Sequence, residues 1–156
     1  GSPLPASVMA GAIIAPVTVQ VLDANDNLVT TSAATINMAI GVNNGGGSLT
    51  GTTTVGAANG VATFSTLKIN QVGAGYTLVA ASTFPATLTG ATSTAFNIAP
   101  AAATKLVFTT QPANATAGPP ALIPTVRVTA EDPLGNVDTS SRAVSGVAAG
   151  TAHNPS

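Results

Sequence analysis

PVTVQVLDANDNLVT, residues 16 to 30, is the stretch on which the reading of the fold depends. Val17, Val19 and Val21 alternate with Thr18 and Gln20, the period-two pattern of a strand with one buried face. The alternation breaks at Asp23-Ala24-Asn25-Asp26-Asn27, and an apolar residue returns at Leu28. Asp and Asn suit a tight turn, because their side chains hydrogen-bond the backbone two residues on and tolerate positive φ. The pattern recurs in PTVRVTAEDPLGNVDT, residues 124 to 139. Setting Asp132 on Asp23 gives an offset of 132 − 23 = 109, which also sets Val126 on Val17, Val128 on Val19, Asn136 on Asn27 and Val137 on Leu28. That recurrence predicts a tandem repeat.

Outward from this stretch, alternation persists and helical periodicity is missing. Strands are predicted near Leu28–Thr30, over Thr35–Ile40, more weakly over Leu49–Val55, then from Val61 with Ala62 and Phe64 inward and Leu67 and Ile69 beyond. Asn59-Gly60 marks a hairpin, since both residues tolerate φ > 0. GAGYTLVAAS places Tyr76, Leu78 and Ala80 on one face, and Ser93–Ile98 closes the unit with Phe96 and Ile98 inward. The expected core is Val17, Val19, Val21, Ile36, Phe64, Leu78, Phe96 and Ile98. APAAAT, residues 99–104, builds no periodic face and reads as a linker. KLVFTTQP then opens a further strand with Leu106 and Phe108 on one face. The domains are therefore residues 1–98, a repeat lacking its first strand, and residues 105–156, the first half of a second repeat.

Charge narrows the function. The 156 residues include 4 Lys+Arg and 5 Asp+Glu, so charged residues make up 6%, against roughly 25% in an ordinary domain. Lys68, Lys105, Arg127 and Arg142 build no basic patch, so nucleic acid is not an expected partner. No apolar run reaches the ~20 residues of a spanning helix, and AGAIIAPVTVQVL has no basic segment before it to make it a signal peptide. Cysteine is absent, which removes disulfides and thiolate metal sites. A surface of Thr, Ser, Ala, Asn and Gly suits a secreted or surface-displayed β-protein whose weakly charged faces pack on one another.

These segments resemble the bacterial immunoglobulin-like repeats of invasin/intimin-type adhesins and large surface-protein arrays. PVTVQVLDANDNLVT, GGGSLTGTTTVGAANGVATFSTLKI and GAGYTLVAAS are similar to successive strands of such repeats, and KLVFTTQPANATAG is similar to the strand that opens each one. Tyr76 after a Gly-rich corner resembles the tyrosine corner of immunoglobulin sandwiches. Where the family's hairpin reads DANGN, this chain has Asp26 in place of Gly. The resemblance implies an immunoglobulin-like antiparallel β-sandwich, an extracellular or bacterial cell-surface location, and service as stalk, adhesin or filament subunit.

Chemistry is sparse. The single histidine, His153, is the fourth residue from the end and two before Pro155, poorly placed for a nucleophile's base. Asp23/Asp26 and Glu131/Asp132 fall in turns of separate repeats rather than across a cleft, and Gly45–Gly47 follow no strand-to-helix pattern that would cradle phosphate. No catalytic residue is expected. Asp23, Asn25, Asp26 and Asn27 match the D-x-N-D-N order of cadherin calcium linkers. Calcium wants 6–8 oxygens and several carboxylates, whereas this cluster holds two and its second copy does not keep the pattern. The turn is the reading taken, with no cofactor. Asn114 begins an Asn-Ala-Thr glycosylation sequon, a pattern that chance also produces.

The leading expectation is a structural module of a surface fibre that binds copies of itself or neighbouring repeats. Leu106, Val107 and Phe108 would complete another unit by strand donation. A ligand- or glycan-binding adhesin domain is the alternative, and an accessory domain of a secreted enzyme the third reading.

Overall fold

The computed structural model describes residues 4–85, 87–111 and 126–139. Among them there is no helix, and the chain is all-β with mostly antiparallel pairing, consistent with a sandwich. Strand β1 (Ser7–Met9) is one that sequence periodicity did not place. It lies parallel to β11 (Phe96–Ala99), whose other edge pairs with β8 (Gly73–Tyr76). The second sheet runs in the order β10 (Ala91–Thr92), β9 (Leu78–Phe84), β3 (Thr35–Ile40), β5 (Thr54–Gly56). Two further pairs join β2 (Val17–Gln20) to β6 (Val61–Phe64) and β4 (Leu49–Thr50) to β7 (Lys68–Ile69).

The expected hairpin turn forms, with Asn59 and Gly60 at φ of 51° and 77° and Ala58 bridging Val61, but the strands it joins enter different sheets, β5 on β3 and β6 on β2. Both central residues at positive φ make the turn that matches strand twist. Elsewhere the boundaries differ from expectation. Leu49–Val55 is not one strand but two, divided at Gly51 with φ of 102°, where an added Cβ would lie 2.2 Å from the Thr66 carbonyl oxygen. Leu28–Thr30 contributes only the bridge Leu22↔Leu28. Ser93 stands outside β11, its hydroxyl accepting from the Leu78 amide and donating to the Thr94 carbonyl. The long strand through Tyr76 is broken at Thr77, where the chain leaves the β11 sheet for the β3 sheet.

One core fills the space between these sheets. Val17, Val21, Ile36, Phe64, Leu78, Phe96 and Ile98 are buried as expected, while Val19 is only partly covered. Ile14, Leu67, Ile69 and Tyr76 join them, fully enclosed. The Tyr76 ring meets Phe96 with centroids 6.3 Å apart, and its hydroxyl donates to the Gln71 carbonyl at 3.0 Å. A buried phenol needs such a partner, so the ring is held at a defined depth and height. Beyond Ala99 a separate pair forms, β12 (Lys105–Thr110) antiparallel to β13 (Arg127–Glu131).

Candidate functional site

Two copies of one turn and one open strand edge form the site. In the turn after β2, the Asp23 amide donates to the Asn27 carbonyl and the Asp26 amide to the Asp23 carbonyl. Asp23 Oδ1 accepts from the amides of Asn25 at 2.8 Å and Asn27 at 2.9 Å. The turn after β13 repeats this bond for bond. The Asp132 amide donates to the Asn136 carbonyl, the Gly135 amide to the Asp132 carbonyl, and the amides of Leu134 and Asn136 both reach Asp132 Oδ1 at 2.9 Å. Bridges Leu22↔Leu28 and Glu131↔Val137 close the two turns, and Asp26 (φ 63°) and Gly135 (φ 88°) share the left-handed position. Asp26 takes there the conformation that Gly adopts at no steric cost.

Their surroundings differ. Asp23 to Asn27 are all exposed. Asp132 and Asn136 are 0% and 2% exposed, because their turn sits against Asn70, Val72 and Ala101. There Asn136 Nδ2 donates to the Asn70 carbonyl at 3.0 Å while its Oδ1 accepts from the Val72 amide at 3.1 Å. Asp132 Oδ2 accepts from the Ala101 amide at 3.2 Å, fastening residues 99–104 as well. An added Cβ on Gly11 would lie 2.9 Å from Leu134 Cδ1, so that side chain lies against Gly11. Burial alone would raise the Asp132 pKa, but hydrogen bonds from Asn136, Ala101 and Leu134 outweigh it and hold the carboxyl below its usual range. Asp23 is lowered too, by the backbone amides of Asn27 and Asn25 and the Asn27 side chain.

The sequence-predicted residues thus fall in two places. Asp23, Asn25, Asp26 and Asn27 share the first turn, where Asp23 is engaged by the turn's own donors. Among the described residues no three His, Cys, Asp or Glu side chains gather into a metal-binding group. Leu106, Val107 and Phe108 lie on β12, opposite Ala130, Thr129 and Val128. Leu106 is 75% and Phe108 53% exposed there, and Lys105 adds an ion pair with Glu131 at 3.1 Å. Asn114 and His153 lie outside the described residues.

Sequence reasoning missed the docking role of Asn70, Val72 and Ala101, which enter through backbone groups and carry no side-chain signal. It also left the groove beside β2 undescribed. β2 pairs with β6 on one edge and, among the described residues, with no strand on the other. Two contiguous cavities of about 440 and 260 Å³ follow that edge, sharing Val19, Gln20, Leu22, Ala80 and Ala91. They are lined by consecutive residues of β2 rather than alternate ones, so they track the strand edge, not one face. Core residues Ile36, Met38 and Leu78 form part of the wall. A scan against protein-family models finds no match for the chain, and searches of curated proteins and of solved structures find none either.

Proposed function

We propose that this chain is a structural module of a bacterial surface fibre, an extracellular immunoglobulin-like unit whose copies join head to tail by strand addition. The observation that carries the reading is the open groove along β2, together with the way β12 already pairs with β13. Transferring that pairing by 109 residues sets Leu106 opposite Val21, Val107 opposite Gln20 and Phe108 opposite Val19. On β13 the side chains of Leu106 and Phe108 stay largely exposed; in the groove, the walls from β3 and β9 would cover them. Burying two such side chains is worth about 1.5–3 kcal/mol each, so β2 of a second copy competes favourably for the strand. Backbone pairing is exchanged rather than gained, since β13 gives up the bonds that β2 acquires, so the apolar burial decides the competition. A contact of this kind is heterologous and does not close, which makes a filament. The hydroxyl of Tyr76 bonded to a backbone carbonyl just upstream supports the immunoglobulin-like assignment.

The adhesin alternative draws less support. Among the described residues, the groove lining includes no aromatic side chain on which a sugar could stack. Electron microscopy and sedimentation of the purified chain test the fibre. Filaments, or oligomers growing with concentration, are expected, and both should vanish when Leu106 and Phe108 are changed to Asp. Monodisperse monomers of the unaltered chain at millimolar concentration would refute the proposal.

A further inference from the structure

Resting on the fibre reading above, we infer that the exposed turn Asp23–Asn27 is a second contact between copies, a clasp for the end of another unit formed by its Asn70, Val72 and Ala101. The docked turn within this chain supplies the pattern. Every internal bond of Asp132–Asn136 has its counterpart in Asp23–Asn27, so the side chains that grip the unit's end are presented in the same geometry. The ports used in the docked copy stand open in the first. Asn136 Oδ1 holds the Val72 amide, whereas Asn27 Oδ1 makes no hydrogen bond among the described residues. Asp132 Oδ2 takes the Ala101 amide and Asn136 Nδ2, whereas among the described residues Asp23 Oδ2 has only Asn27 Nδ2, at 3.2 Å. The partner groups are two amides and a carbonyl of the backbone, held within this chain by Asp132 and Asn136, so the clasp is an exchange in which a neighbour's Asp23–Asn27 turn takes the place of the copy's own Asp132–Asn136 turn as β12 leaves β13. Asn25 stands where Leu134 covers Gly11, so the apolar part of the contact is smaller and the paired Asp and Asn carry it.

Strand and clasp are geometrically linked. In this chain, residues 99–104 connect the gripped end to β12, and Ala101 lies on that connection. A copy that lays its β12 on a neighbour's β2 thereby brings its own Asn70 and Val72 to the neighbour's turn.

The test joins two copies so that residue 109 of the first runs directly into residue 1 of the second, keeping the 109-residue spacing. Residues 1–109 carry a complete core of their own, since the buried apolar side chains run from Ala10 to Ile98. The chain has no cysteine, so introduced pairs report single contacts. Ala12→Cys in the first copy with Asn25→Cys in the second reports the clasp and leaves Asp23 and Asn27 intact. Val107→Cys in the first with Gln20→Cys in the second reports the strand. Ala12→Cys with Leu134→Cys in the single chain gives the reference extent for a short thiol cross-linker. The clasp pair should cross-link to within about twofold of that reference, and Asn27→Leu in the second copy should reduce it about tenfold, as loss of two hydrogen bonds predicts. If the strand pair cross-links and the clasp pair does not, the inference fails and the fibre reading stands. If neither does, both fail. A clasp pair that cross-links without the strand pair keeps the clasp and removes strand donation.

Discussion

Asn136 and Asn27 occupy the same place in the same turn, yet they differ in what their removal exposes. Asn136→Ala strands the Asn70 carbonyl and the Val72 amide at a covered junction. That should cost about 1–3 kcal/mol in chemical unfolding, the usual penalty for an unsatisfied buried group. Asn27→Ala in the isolated single chain should cost under about 0.5 kcal/mol, because its turn faces solvent. Acid should act on the buried copy in a set direction. The folded carboxyl of Asp132 titrates below its unfolded value, so its contribution is complete above about pH 4 and fades as pH falls towards the folded value. The protection factors of the Ala101 and Val72 amides, taken against the intrinsic exchange rate at each pH, should therefore fall below about pH 4, and Asp132→Asn should remove that fall. Unchanged protection factors down to about pH 2 would show that the carboxylate does not hold the junction.

Among the elements, the Asn59-Gly60 hairpin turn that leads into β6 depends most visibly on one residue. Gly60 sits at φ of 77°, and an added Cβ would fall 2.4 Å from the Val29 carbonyl oxygen. Gly60→Ala should thus destabilise by about 2 kcal/mol or more, from left-handed strain plus the shift forced on the Val29 segment. A loss in thermal unfolding equal to that of an exposed surface substitution would mean the hairpin is not fixed by this contact. The hairpin was legible because its signal is local: Asn-Gly can be read two residues at a time. The division of Leu49–Val55 was not, since Gly51 breaks the strand where it approaches Thr66, which is distant in sequence. Strand β1 was also out of reach, because three residues give no period to detect.

For the whole molecule, the open edge of β2 should respond to a strand supplied in trans. A peptide of residues Thr104 to Gln111 is expected to raise the melting temperature of the full chain. Saturation at 100 times the dissociation constant corresponds to about 2.7 kcal/mol. The same peptide with Leu106→Asp and Phe108→Asp should have no effect, since the groove offers apolar walls to those two positions. Equal stabilisation by both peptides would assign the effect to something other than strand addition.

Alternation in residues 16–22, the Asp-to-Asn turn and its return at an offset of 109 were enough to give the all-β class, most of the core and the equivalence of the two turns. Such features follow from the pleat and from side chains acting on their own backbone, so they are written locally. What separates the two turns is not local. Asp132 and Asn136 are buried because backbone groups of Asn70, Val72 and Ala101 meet them, while Asp23 and Asn27 meet solvent. Nor does the pattern of Val17, Val19 and Val21 tell which edge of their strand is paired, because alternation reports the faces of a strand and is blind to its edges. Only the packing of β6 against one edge and the groove along the other decided that.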